Sequence, residues 1–244
     1  MTSTLGSLSG KVALITGTAG GQGEVAAELF RAAGATVVGC DVKQASGVQQ
    51  VDLTDEPAVR RWVDEAAAEH GRIDVLYANA GATRFSPLEE TSADEWDWVL
   101  RHELDVVFFP VKHAWRHLKA SAGSVILVGS TAGITGSRTN SRVAHTVTKG
   151  GVVALTKQLA AEGAPFGIRV NCVSPGMVET PATRGDLLAD DHPMRSIASA
   201  IPLGRVGQPE EIARCALFLA SEDASYVSGA NLVIDGGWSA VLPG

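Results

Sequence analysis

Short, nearly continuous apolar runs alternate along this chain with longer stretches in which apolar residues recur at helical spacing. The runs at 12–16, 36–40, 48–51, 73–78, 124–129, 169–173 and 231–234 are rich in Val, Ile and Leu. A strand covered on both faces has no polar side to present, so such runs predict buried strands. The stretches at about 21–33, 56–69, 93–119, 143–163 and 209–220 predict helices. Gly34 and Gly71 follow helical runs and suit helix C-termini. Ser92 or Asp94 is placed to cap the helix near 95. Helices between successive strands require right-handed crossovers. The expected fold is therefore α/β: one doubly wound domain over 1–244, a seven-stranded parallel sheet with helices on both faces. One segment, about 181–202, departs from the alternation. It mixes Arg184, Asp186, Asp190, Asp191 and Arg195 with Leu187, Leu188, Met194 and Ile197. It follows a strand's C-terminal end, the edge where open α/β sheets bind ligands, and is read as a lid.

Glycines punctuate the first strand–helix junction. Thr16-Gly17-Thr18-Ala19-Gly20-Gly21-Gln22-Gly23 follows the first strand directly and opens the first helix. Residues without side chains let backbone approach a pyrophosphate, and the helix N-terminus offers free N–H groups with a positive dipole end. This context predicts a dinucleotide site. Asp41 ends the second strand, where a carboxylate accepts bonds from both ribose hydroxyls and repels a 2′-phosphate. No arginine in the glycine turn offsets it, so NAD is expected in preference to NADP.

Composition narrows the picture further. A length of 244 residues suits one domain, and a net charge of −7 argues against a sequence-independent nucleic-acid binder. No apolar stretch reaches membrane-spanning length, and Met1 to Gly10 lacks an apolar signal core, so a cytoplasmic protein is expected. Cys40, Cys172 and Cys215 are scattered and read as reduced core residues. His113 and His117 stand four apart on a predicted helix, but no third ligand is evident and no metal is expected. Trp96, Trp98 and Trp115 read as core and interface packing.

Further motifs follow in a recognisable order. They are Asp52-Leu53, Ala78-Asn79-Ala80-Gly81, Gly129-Ser130, His145-x-x-x-Lys149, Pro175-Gly176-Met177-Val178-Glu179-Thr180 and Asp235-Gly236-Gly237. With the glycine turn, this set resembles the short-chain dehydrogenase/reductase family from about Leu8 to Gly237. The resemblance implies a Rossmann fold and a nicotinamide cofactor. It implies cofactor contacts from Gly17, Thr18, Gly21, Gln22, Gly23, Asp41, Asp52, Leu53, Asn79, Ala80, Gly81, Lys149, Pro175, Gly176, Val178 and Thr180. It implies a catalytic Ser130, and assembly as a homotetramer or homodimer through the helices near 93–119 and 143–163. A small-molecule secondary alcohol or ketone is the implied substrate.

The chain departs from the family pattern at two places. His145 stands where the family carries its proton-transferring tyrosine, and Glu103 where it carries a relay asparagine. Ser130 and His145 are 15 residues apart, wider than the family's usual step, which reads as an insertion within 135–142. The chain has only two tyrosines, Tyr77 and Tyr226, and neither is expected at a substrate carbonyl. Histidine titrates near neutrality and serves as acid or base. A carboxylate on one imidazole nitrogen fixes the tautomer, so Glu103–His145 is read as a working dyad beside Lys149. The expected function is NAD(H)-dependent interconversion of a secondary alcohol and a ketone. The altered residues leave three alternatives. These are an ene-reductase or lyase/isomerase on the same scaffold, a redox-silent NAD-binding protein, and a hydrolase built from Ser130, His145 and Glu103.

Overall fold

The computed structural model describes residues 5–185, 188 and 193–241. Seven strands form one parallel sheet: β1 Val12–Thr16, β2 Thr36–Asp41, β3 Gln49–Gln50, β4 Val75–Ala78, β5 Ser124–Val128, β6 Arg169–Pro175 and β7 Asn231–Ile234. Their order is β3-β2-β1-β4-β5-β6-β7. The chain reverses its winding between β1 and β4, so connections leave the two strands in opposite directions and open a crevice at their C-terminal ends.

The continuous apolar runs have the physical origin expected of them. Leu14, Leu76, Leu127, Val170 and Cys172 point to one face, where Trp62, Val111 and Val152 pack from α2 Glu56–His70, α4 Val106–Ser121 and α5 Val143–Gly163. Ala13, Ile15, Val75, Tyr77 and Val173 point to the other, against Phe30 of α1 Gly21–Ala32 and Ile212 and Ala216 of α7 Pro209–Ala220. Both faces are apolar, so neither set of alternating positions is polar.

The strand expected at 48–51 contracts to Gln49–Gln50, an exposed sheet-edge pair matched only to Cys40 and Asp41. The expected run at 73–78 starts as a strand only at Val75; Ile73 and Asp74 are buried ahead of it. Ser92, not Asp94, caps α3 Ala93–Leu100, its hydroxyl accepting from Glu95 N at 3.1 Å. The single helix expected over 93–119 is interrupted: α3 passes into a π turn, Arg101–Asp105, before α4 begins. A π turn carries one residue more than an α turn and re-aims the side chains around it. Here it buries Glu103. The expected lid divides into α6 Pro181–Gly185 and a 3-10 stretch, Pro193–Ala200; Asp186, Leu187, Asp190 and Asp191 lie outside the described residues.

Candidate functional site

The glycine turn sits at the crevice between β1 and β4. Gly17 and Gly21 take positive φ, 77° and 59°. A Cβ on Gly17 would lie 2.9 Å from Asn79 Nδ2, and a Cβ on Gly23 would run into Gly17 O. Both positions therefore exclude any larger residue. Thr16 ties the two strand ends together: its hydroxyl accepts from Asn79 N at 3.0 Å and Ala80 N at 2.9 Å. Asn79 Nδ2 donates to Thr16 O at 3.1 Å. Gly81 follows this junction, near Lys149 Nζ.

No side chain caps α1, so its leading N–H groups face the crevice without an internal acceptor. Gln22 Oε1 is buried there without a hydrogen-bond partner. The Pro175–Thr180 segment closes the opposite side. Gly176 abuts Asp235, Val178 is buried, and Thr180 Cγ2 approaches within 3.6 Å of where a Gly21 Cβ would stand. Asp41 Oδ2 accepts from Ala19 N at 3.1 Å and Oδ1 from Lys43 N at 2.9 Å, fixing the carboxylate beside the turn. Thr18 is buried, and its hydroxyl points to Cys40 O. Asp52 is held below the usual carboxylate range by two hydrogen bonds from Thr54, and Leu53 is buried beside it. The open helix N-terminus and the glycine cradle fit a dinucleotide pyrophosphate.

The second cluster hangs on α5 and the π turn. His145 Nδ1 lies 2.7 Å from Glu103 Oε1 and 2.9 Å from Oε2. Thr148 Oγ1 donates to Glu103 Oε2 at 2.6 Å, and Lys149 Nζ stands 3.9 Å from Oε1. Burial pushes the Glu103 carboxyl up, but the His145 hydrogen bond, the charge of Lys149 and the Thr148 hydroxyl together outweigh it. The group is held below the ordinary glutamate range. Glu103 is thus an ionised acceptor, and the imidazole donates to it from Nδ1. The other ring nitrogen, Nε2, has no hydrogen-bond partner among the described residues. Phe85 meets the imidazole edge-on, ring centroids 5.5 Å apart.

Lys149 links this cluster to the sheet, donating to Val128 O at 3.1 Å. The turn after β5 is pressed against the same helix: a Cβ on Gly133 would lie 2.5 Å from the Lys149 carbonyl carbon. Ser130 starts that turn, its Oγ accepting from Ala132 N at 3.0 Å. Among the described residues no hydrogen bond joins Ser130 to His145, as a serine-hydrolase triad requires. The structure thus brings Glu103, His145 and Lys149 together, with Ser130 on the neighbouring turn. Sequence reasoning missed Thr148 as the third donor to Glu103 and Thr16 as the junction of the two strand ends. Thr148 was findable, because it stands one helical turn after His145 on the same face. Nothing in the local sequence marks Thr16, whose partners come from a distant strand.

His113 is paired with Glu56, and His117 accepts from Arg116; no metal-competent group of three His, Cys, Asp or Glu exists among the described residues. No helix among them is long and apolar enough to cross a membrane.

The model of a family described as enoyl-(acyl carrier protein) reductase matches residues 17–239. A 3-oxoacyl-(acyl-carrier-protein) reductase of Thermotoga maritima is 40% identical over 248 residues, 94% of this chain and 98% of its own. A cis-4-hydroxycyclohexanecarboxylate dehydrogenase of Sinomonas cyclohexanicum is also 40% identical, covering 95% of this chain and 97% of its own. A solved structure from Agrobacterium tumefaciens with bound NADP, described as a 2-deoxy-D-gluconate 3-dehydrogenase, is 35% identical with a TM-score of 0.87. It covers 98% of this chain and 100% of its own. With the parallel sheet, the glycine cradle and the dehydrogenases and reductases it matches end to end, this chain belongs to the short-chain dehydrogenase/reductase family of oxidoreductases.

Proposed function

We propose that the protein interconverts a secondary alcohol and a ketone with NAD(H), using His145 as the acid/base. The observation that carries this reading is the hydrogen bonding of His145 Nδ1 to both oxygens of buried, ionised Glu103. Such a bond fixes the tautomer and leaves Nε2 to take a proton from an alcohol or return one to an alkoxide. When the ring is protonated, Glu103 offsets the new charge. The Ser130 hydroxyl donates to the reacting oxygen and stabilises its developing charge. Lys149, fixed by Val128 O, brings a positive charge to the same end of the sheet. A nicotinamide held at this site would supply the hydride acceptor in one direction and the hydride donor in the other. Relatives named as a 3-oxoacyl-(acyl-carrier-protein) reductase and a cis-4-hydroxycyclohexanecarboxylate dehydrogenase support the alcohol/ketone pair.

Asp41 supports NAD over NADP, since a fixed carboxylate at the second strand's end repels a 2′-phosphate. The family positions at Gly17, Thr18, Gly21, Gln22, Gly23, Asp52, Leu53, Asn79, Ala80, Gly81, Pro175, Gly176, Val178 and Thr180 belong to the same proposed cofactor site. Assembly as a homotetramer or homodimer is proposed with it, and the exposed Phe108 and Val147 on α4 and α5 support this.

The test is a screen of secondary alcohols and ketones, following the absorbance of reduced nicotinamide, with His145→Ala alongside. Turnover is expected, and the variant is expected to lose about 10²–10⁴ in kcat while still binding nucleotide. A His145→Ala enzyme as fast as the parent overturns the assignment. Reduction confined to conjugated C=C bonds favours the ene-reductase alternative.

A further inference from the structure

Residues 81–86 follow β4 without regular secondary structure, yet three contacts tie them to α3 and the π turn. Ala82 N donates to His102 O at 3.1 Å, and His102 directly precedes Glu103. The Arg84 guanidinium lies 4.1 Å from the centre of the Trp98 ring, which stacks on His102 with ring centroids 3.9 Å apart. Ser86 Oγ donates to Glu95 Oε1, and Thr91 Oγ1 stands 2.8 Å from the same hydroxyl. Phe85 sits between two of these tethers and is half-buried. Its ring is perpendicular to the His145 imidazole, at 89° with centroids 5.5 Å apart.

Ordering an irregular segment costs conformational entropy, which the contacts at Ala82, Arg84 and Ser86 offset. Together they hold Phe85 against His145. The bond to Glu103 anchors Nδ1 of the imidazole, but hydrogen bonds tolerate a broad range of angles. The ring is therefore free to tilt about that anchor unless something packs against it. Among the described residues Phe85 makes the one ring contact to the imidazole, and Glu103 the one side-chain hydrogen bond. Perpendicular aromatic pairs are favoured, because the positive edge of one ring meets the negative face of the other. Both constraints share an anchor: His102 holds the 82–86 segment through its carbonyl and its ring, and its neighbour Glu103 holds Nδ1. A tilt about Nδ1 swings Nε2 away from its place, and a shift of about 1 Å at a reacting group costs roughly a hundredfold in rate.

We propose that Phe85 is a positioning residue: pressed on His145 by the tethered 82–86 segment, it fixes the tilt of the imidazole and so the point at which Nε2 meets the reacting oxygen. The proposal rests on the dehydrogenase reading above for the reaction, but not for the coupling of Phe85 to His145.

The experiment compares the parent protein with Phe85→Ala and Phe85→Leu, using cyclohexanone, cyclopentanone and 3-hydroxybutanone as ketones and NADH as reductant. Phe85→Ala is expected to lower kcat about ten- to a hundredfold with KM nearly unchanged, and Phe85→Leu, which keeps the bulk, to recover part of the loss. Relaxation of the His145 Cε1–H group, in protein carrying 13C-labelled histidine and saturated with NAD, reads ring order without turnover. Its signal is identified by its loss in His145→Gln. The order parameter should fall in Phe85→Ala and recover in part in Phe85→Leu. Thermal melts show that the variants fold, and Phe85→Leu carries the test where the alanine variant does not. Parental kcat in Phe85→Ala, a rise in KM alone, or a kcat loss with ring order unchanged overturns the proposal. Ring order that falls in Phe85→Ala while the parent turns over no ketone overturns the dehydrogenase reading and supports the coupling. Unchanged ring order together with no turnover overturns both.

Discussion

Glu103 is a buried carboxylate that stays ionised because His145, Thr148 and Lys149 surround it. Removing its charge strands those donors, so the residue acts as a positioning group with two separable readouts. In catalysis, Glu103→Gln is expected to alter the pH dependence of kcat/KM and to lower kcat by up to about a hundredfold. An unchanged profile excludes the pair. In stability, the folded pKa lies below the unfolded one, so the unfolded chain binds the extra proton first as pH falls. The contribution of Glu103 is complete above the ordinary glutamate range and is lost as pH falls through the folded value. Melting temperatures of the parent and Glu103→Gln should therefore differ at neutral pH and converge in acid. A gap that does not change with pH contradicts the ionised assignment. Asp41 carries the nucleotide choice at the same scale. Asp41→Ala should narrow the NAD-over-NADP ratio of kcat/KM by about tenfold, the worth of one charge-assisted contact.

Elements bring these residues together through close backbone approaches. The 131–133 turn rests on α5 where Gly133 faces the Lys149 backbone, with no space for a methyl group. Gly133→Ala is expected to cost about 1–3 kcal/mol, the usual penalty of overpacking. In a domain of this size that lowers the melting temperature by roughly 2–4 °C per kcal/mol. Activity should fall with it, because the same shift separates Ser130 from α5; a variant with unchanged melting and kcat contradicts this coupling. The π turn works in the same way. A regular helix through 93–119 would aim Glu103 by the spacing of its neighbours alone, whereas the observed widening buries it beside α5.

Over the whole molecule, the reversal of winding between β1 and β4 creates the crevice that the glycine turn lines. A ligand that binds only the folded chain adds RT ln(1 + [L]/Kd) to its stability, about 2.7 kcal/mol at a hundred times Kd. NAD at that excess should raise the melting temperature by several degrees, and more than NADP does; equal shifts speak against the proposed choice. Sedimentation equilibrium should find a dimer or tetramer, and a monomer at micromolar concentration contradicts the proposed assembly. Much of this was legible in the linear chain. Continuous apolar strands announce a sheet covered on both faces, and the glycines of 17–23 announce a tight strand–helix turn, because both depend on neighbours close in sequence. The register of His145 to Lys149 is likewise local, one helical turn. The sequence by itself thus determined the layered fold, the dinucleotide cradle and the residue types available for proton transfer. The family resemblance already paired Glu103 with His145, and tertiary structure decided how they meet across 42 positions, that Thr148 completes the shell of Glu103, and that Arg142 is left with an unpaired buried nitrogen. Those contacts depend on a widened helical turn and on the packing of distant elements, and neither spacing nor composition encodes them locally.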